Sequence, residues 1–154
     1  MAPSTAGFSP EPYGQRRHSS ATPDALVTDI AGGPLAAPTA RRLVTGFAPE
    51  MSKDSLDDAL LVISELVNNS VEHGGAGPGG FVRLAIEVAG GVLKVEVGDS
   101  GPGFVAPASL AFDDDLEALG GRGLRIVEAL ADRWGVRTSG GTCVWVEMAA
   151  TRVH

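Results

Sequence analysis

DSLDDALLVISELVNNSVEH, residues 54–73, is the stretch on which the fold turns. Leu56, Leu60, Ile63, Val67 and Val71 recur at steps of three and four, which lays one apolar stripe along a helix. Ser52 stands at an N-cap position and Gly74-Gly75 supplies a stop. Away from the stripe, Glu65 and Asn69 lie one turn apart, so both can reach one small object. Taken alone, the pair also reads as a solvated ridge beside Asp58 and Glu72. Asn68 and Asn69 stand together in mid-helix, where Asn is a mediocre helix former, and this weighs against a purely structural ridge.

On the N-terminal side, residues 35–47 predict a second helix, with Leu43, Val44 and Phe47 inward and Arg41-Arg42 on the wet side. Residues 25–30 predict a short edge strand, and Gly32-Gly33-Pro34 breaks the chain after it. Residues 1–24 are rich in Pro, Ser, Ala and Gly without an apolar face, and read as a flexible leader carrying Arg16-Arg17-His18. On the C-terminal side, a Gly/Pro loop at 74–80 leads to strands at 81–88 and 92–97 around a Gly90-Gly91 turn. A glycine-rich turn at 98–103 and an acidic loop with Asp113-Asp114-Asp115 follow, then a helix at about 123–132. Strands at 134–138 and 142–148 flank Gly140-Gly141, and 150–154 is a tail. Strands and helices mix without a βαβ rhythm. This predicts a two-layer α/β (α+β) sandwich, a mixed, mostly antiparallel sheet with helices on one face.

The 154 residues suit one domain, placed at 25–149. The formal net charge of −7 argues against direct nucleic-acid binding, which needs a basic face. One cysteine, Cys143, excludes an internal disulfide framework and reads as strand packing. No apolar run approaches the roughly 20 residues of a membrane span and the start has no signal-peptide pattern, so a cytoplasmic protein is the default.

Two further stretches can carry chemistry. Asp99-Ser-Gly-Pro-Gly103-Phe104 follows an apolar strand. It reads either as turn chemistry or as a carboxylate facing the amine of adenine, with Gly101 and Gly103 passing close to a flat ring. Gly120-Gly-Arg-Gly-Leu124 opens a helix, where backbone N–H groups, the helix dipole and Arg122 make an anion site; a flexible loop entering a helix is the alternative. The G-x-x-x-x-G-K-S/T loop and the strand–GxGxxG–helix turn are both absent, so a nucleotide site here belongs to another class.

In combination, the E-x-x-x-N helix, the D-x-G-x-G-F turn and the G-x-G-L helix start resemble the ATP-site boxes of the GHKL ATPases, the gyrase, histidine-kinase and MutL relatives. The wording of 61–74, 120–135 and 141–146 is similar to the RsbW-type anti-sigma-factor serine/threonine-protein kinases. The resemblance covers about residues 25–149 and implies a Bergerat, histidine-kinase-like fold that holds ATP under a short lid. It implies that Asn69 ligates Mg2+, sparse protein ligation of the kind magnesium takes. Glu65 would be the general base. Asp99 would hold the adenine amine with support from Thr142, and Gly101 and Gly103 would line base and ribose. Gly121, Arg122, Gly123 and Leu124 would form the phosphate side. Asn68 departs from the small polar residue usual in that branch. His73, at the end of a helix, suits the dipole better than a ligand role.

The resemblance implies a partner-switching regulator, a serine/threonine kinase whose partners are a sigma factor and a STAS-type antagonist; it admits a homodimer. A module that keeps ATP as a structural ligand and acts by protein contacts is the alternative. Glu65 favours the kinase, because nucleotide binding alone needs no base. A histidine-kinase catalytic domain fits less well, since Gly32-Gly33-Pro34, Pro38 and Pro49 interrupt the region that would supply long paired helices.

Overall fold

The decisive segment folds as one helix, α2, spanning Lys53–His73. A computed structural model of the protein describes residues 25–73, 77, 79–99, 121–138 and 141–154. Ser52 caps α2 as the sequence predicts: the Ser55 N–H donates to Ser52 Oγ at 3.1 Å. Its deeply buried positions are Ser55, Ala59, Val62, Ile63, Leu66, Val67 and Ser70, while Leu56, Leu60 and Val71 are only partly covered. The buried arc is therefore rotated from the expected stripe, toward Val62 and Leu66. A second helix, α1 (Ala36–Thr45), packs along α2 and covers the flank beyond Leu60. Arg41 differs from expectation there: it is half-buried and donates Nη1 to Ser64 Oγ at 3.1 Å, whereas Arg42 is exposed. Val44 and Phe47 are fully buried, Phe47 just ahead of a single 3-10 turn at Ala48–Glu50.

Five strands make one sheet: β1 (Ala25–Ala31), β2 (Phe81–Ala89), β3 (Val92–Asp99), β4 (Arg133–Thr138) and β5 (Thr142–Ala149). Their order is β1-β2-β3-β5-β4, and every neighbouring pair is antiparallel. The β2–β3 hairpin turns on Gly90 and Gly91, with φ of 59° and 75°, the left-handed pair that a two-residue type I′ turn demands. Alternate residues of the sheet, among them Leu84, Ile86, Leu93, Val95, Val97 and Val146, face the helices and form the core with them. The opposite face is laced by cross-strand pairs, Arg83–Asp29 at 3.0 Å, Arg133–Glu147 at 3.5 Å and Arg137–Glu96. Trp145 lies over Gly135, its partner in register, so closely that a Cβ at 135 would stand 2.7 Å from the ring.

The third helix, α3 (Gly121–Leu130), packs on α2. The start of α2 and the end of α3 meet at one end of the sheet. The Ser52 N–H donates to Ala150 O at 2.8 Å, and the Asp132 N–H donates to Glu147 O at 2.9 Å. α2 then runs toward the other end, where β2 begins and where β3 finishes. No described helix is long and apolar enough to cross a membrane.

Candidate nucleotide site

Alternation along β3 and β5 places Asp99 and Thr142 directly opposite each other, as the last and first residues of adjacent antiparallel strands. Thr142 is buried and Asp99 half-buried. A carboxylate beside a hydroxyl at a strand end offers acceptors to an amine on the edge of a planar base. Next to them, Cys143 points to the other face, where the Arg137 Nη2 donates to its Sγ at 3.4 Å. Burial pushes the Cys143 thiol above its ordinary value, and Arg137 opposes this only in part. A thiol so held is packing rather than a nucleophile, as the sequence predicts.

Glu65 and Asn69 are half-buried on α2, whereas Asn68, Leu61 and Glu72 are exposed. At about 100° per residue, Asn69 falls only about 20° from buried Val62. The two polar residues thus occupy the margin of the buried arc, on the side away from α1, and not the crest of a solvated ridge. The first turn of α3 is Gly121-Arg-Gly123, and the next residue, Leu124, is fully buried. Leu124 and Val127 seat the helix, and the backbone N–H groups of its first turn have no partner within the helix itself. Because α3 ends beside Glu147 and packs along α2, its first turn is directed toward the end of the sheet that holds Asp99 and Thr142.

These groups fit a nucleotide by their chemistry. One amide oxygen at Asn69 suits a cation whose other ligands are phosphates and water, and Glu65 one turn away can take a proton. Gly101 and Gly103, the acidic loop and the leader lie outside the described residues, as do the side chains of His73 and Arg122. Trp134 is half-buried with its Nε1–H on Glu128, a rim position. Arg152, in the C-terminal tail, donates Nη1 to Leu130 O at 2.9 Å, at the C-terminal end of α3. No motif or periodicity marks it.

The chain is similar to several known proteins. Serine-protein kinase RsbW of Listeria innocua is 25% identical over 120 residues, covering 71% of this chain and 76% of that protein. Among solved structures, the blue-light activated histidine kinase of Erythrobacter litoralis EL346 is 26% identical with a TM-score of 0.50, over 65% of this chain and 32% of that one. The histidine kinase AdeS of Acinetobacter baumannii is 21% identical with a TM-score of 0.44, over 62% of this chain and 47% of that one. The chain thus spans less than half the length of those two histidine kinases. The family model for the histidine kinase-like ATPase domain matches residues 32–148, which takes in the three described helices, strands β2 to β4 and β5 up to Met148, and the chain belongs to that family.

Proposed function

We propose that the protein binds Mg-ATP and transfers a phosphoryl group to a serine or threonine of a small antagonist protein, switching a sigma factor between partners in the cytoplasm. The observation that carries the nucleotide part is the pairing of Asp99 with Thr142 at the strand end, with Glu65 and Asn69 on the inner margin of α2. The likeness to a serine-protein kinase supports hydroxyl as the acceptor.

Bound Mg-ATP supplies the phosphoryl group and a cation that screens its charge. The chain does the rest. Asp99 accepts from the base amine, with Thr142 beside it. Asn69 would offer its amide oxygen to the cation, the first turn of α3 would hold the phosphates, and Gly101 and Gly103 are assigned to the base. Glu65 takes the proton of the acceptor hydroxyl as that oxygen bonds to phosphorus and the bridging bond to ADP breaks.

Binding and transfer should separate by residue. Glu65→Gln should keep ATP affinity within a few-fold while transfer falls by about 10²–10⁴. Asn69→Ala should weaken magnesium-dependent ATP binding and transfer together. Radiolabelled ATP with candidate antagonists from the same genome reads both. Transfer by Glu65→Gln at the wild-type rate removes Glu65 as the base. ATP-dependent partner capture without any labelling turns the protein into a binding module.

A further inference from the structure

We propose that Arg152 is a positioning residue that clamps the C-terminal end of α3 to α2 and so holds the first turn of α3 level with Asn69. This rests on reading that turn as the phosphate cradle.

The guanidinium joins α2, the end of α3 and the link between α3 and β4. Nη1 donates to Leu130 O at 2.9 Å and lies 3.7 Å from Asp58 Oδ2 on α2, while Nη2 donates to Asp132 Oδ1 at 2.5 Å. Leu130 O is among the last carbonyls that a helix leaves unpaired, so a cation there meets both an open acceptor and the negative end of the dipole. The side chains of Arg152 and Asp58 are only 23% and 15% exposed, which shields the pair from the screening that weakens surface ion pairs. The opposite oxygen of Asp132 accepts from the Ala149 N–H at 2.8 Å, so the same carboxylate is fixed to β5.

The mount of Arg152 is itself rigid. Its N–H donates to Ser55 Oγ at 2.8 Å, and Ser55 Oγ donates to Ala149 O at 2.8 Å. Its carbonyl accepts from Ser52 Oγ. Two residues on, the His154 N–H donates to Asp54 Oδ2 at 2.7 Å, and its ring lies 2.7 Å from Asp58 Oδ2. Residues 150–154 are thus seated on the first turns of α2 by main chain and side chain together.

Helix geometry says what this clamp controls. Asp58, Glu65 and Asn69 share one side of α2, and Asp58 to Asn69 is a rise of about 16 Å at 1.5 Å per residue. α3, with ten residues, is about 15 Å long. A helix of that length, pinned at Asp58 by its C-terminal end and packed antiparallel along α2, brings its first turn to the level of Asn69. Leu124 and Val127 keep α3 on the core, but apolar contacts permit sliding and tilting that a forked, charged anchor does not. Arg152 therefore presets the distance between the phosphate donors and Asn69, which reduces the ordering cost of binding phosphates.

The test uses the full chain and two ligands read by calorimetry at fixed magnesium. Adenosine needs the Asp99 end alone, whereas ATP also needs α3. Arg152→Ala should raise the Kd for ATP about tenfold while adenosine stays within about twofold, and Arg152→Lys should recover part of the loss. Amide exchange should rise in α3 with the middle of α2 unchanged. Equal weakening of both ligands, or unchanged ATP affinity, overturns the proposal. Should Arg152→Ala not fold, the ATP-to-adenosine ratio of Arg152→Lys decides in the same way. If the wild type binds no ATP, the nucleotide reading fails, and unchanged exchange in α3 of the variant still overturns the clamp.

Discussion

Asp99 and Thr142 show how much a single register decides. Shifting β5 by one residue would send Thr142 to the outer face and bring Cys143 opposite Asp99, because side chains alternate with period two. With the observed register, Asp99 and Thr142 stand side by side at the strand end; in the proposed site this carboxylate would meet the edge of the base, where adenine presents an amine and guanine a carbonyl. Calorimetry should therefore show ATP binding far more tightly than GTP. Asp99→Asn should cost about 1.5–3 kcal/mol of ATP affinity, the range for a hydrogen bond to a charged group. Equal affinities for the two nucleotides would take Asp99 out of base recognition. On the opposite face of the sheet, Gly135 makes room for the Trp145 ring. Gly135→Ala places a methyl 2.7 Å from that ring, which must move and drag its stacked Arg133 with it. The expected loss is about 1–3 kcal/mol, read from the urea midpoint, with ATP affinity unchanged. A midpoint equal to the wild type would mean that the ring shifts freely.

Among the elements, α2 was the most legible in sequence and also the most instructive where it departed. Its existence, its Ser52 cap and its end at His73 follow from periodicity and cap chemistry. Which side is buried most deeply did not follow from the large residues. Leu56 and Leu60 lie toward α1 and stay partly open, while small Ser55, Ala59 and Ser70 are buried where neighbouring elements come close. A reading weighted by apolar bulk undervalues such positions, and so it places Glu65 and Asn69 farther from the core than they are. The half-burial of Arg41 is invisible in sequence for a related reason, since the partner that holds it, Ser64, belongs to another helix. The cap gives a direct test. Ser52 Oγ accepts from the Ser55 N–H and donates to Arg152 O, so Ser52→Ala removes a cap and one tie to residues 150–154 together. The expected loss is about 1–2 kcal/mol by urea denaturation, and no change would show that neither bond contributes net stability.

For the molecule as a whole, strand alternation and turn glycines located the sheet, because a half-buried strand writes its period into the sequence. The contacts of residues 150–154 left no such trace: His154 reaches Asp54 and Asp58 across about a hundred residues, and only the closed fold brings them together. The same closure bears on residues 1–24. β1 is in register with β2 along its whole length, from Ala25 opposite Glu87 to Ala31 opposite Phe81, and the core begins at Leu26 and Ile30. Every described strand and every described helix thus lies from Ala25 onward. A chain that starts at Asp24 should melt within about 2 °C of the full one, since for a domain of this size about 1 kcal/mol moves the midpoint by roughly 2–4 °C or more. Its ATP affinity should stay within about twofold, a difference of less than 0.5 kcal/mol by roughly the tenfold-per-1.4 rule. Calorimetric scanning and ATP titration of the two chains side by side make the comparison. A larger fall in melting temperature would assign packing to residues 1–24, and a fall in affinity alone would bring them to the nucleotide.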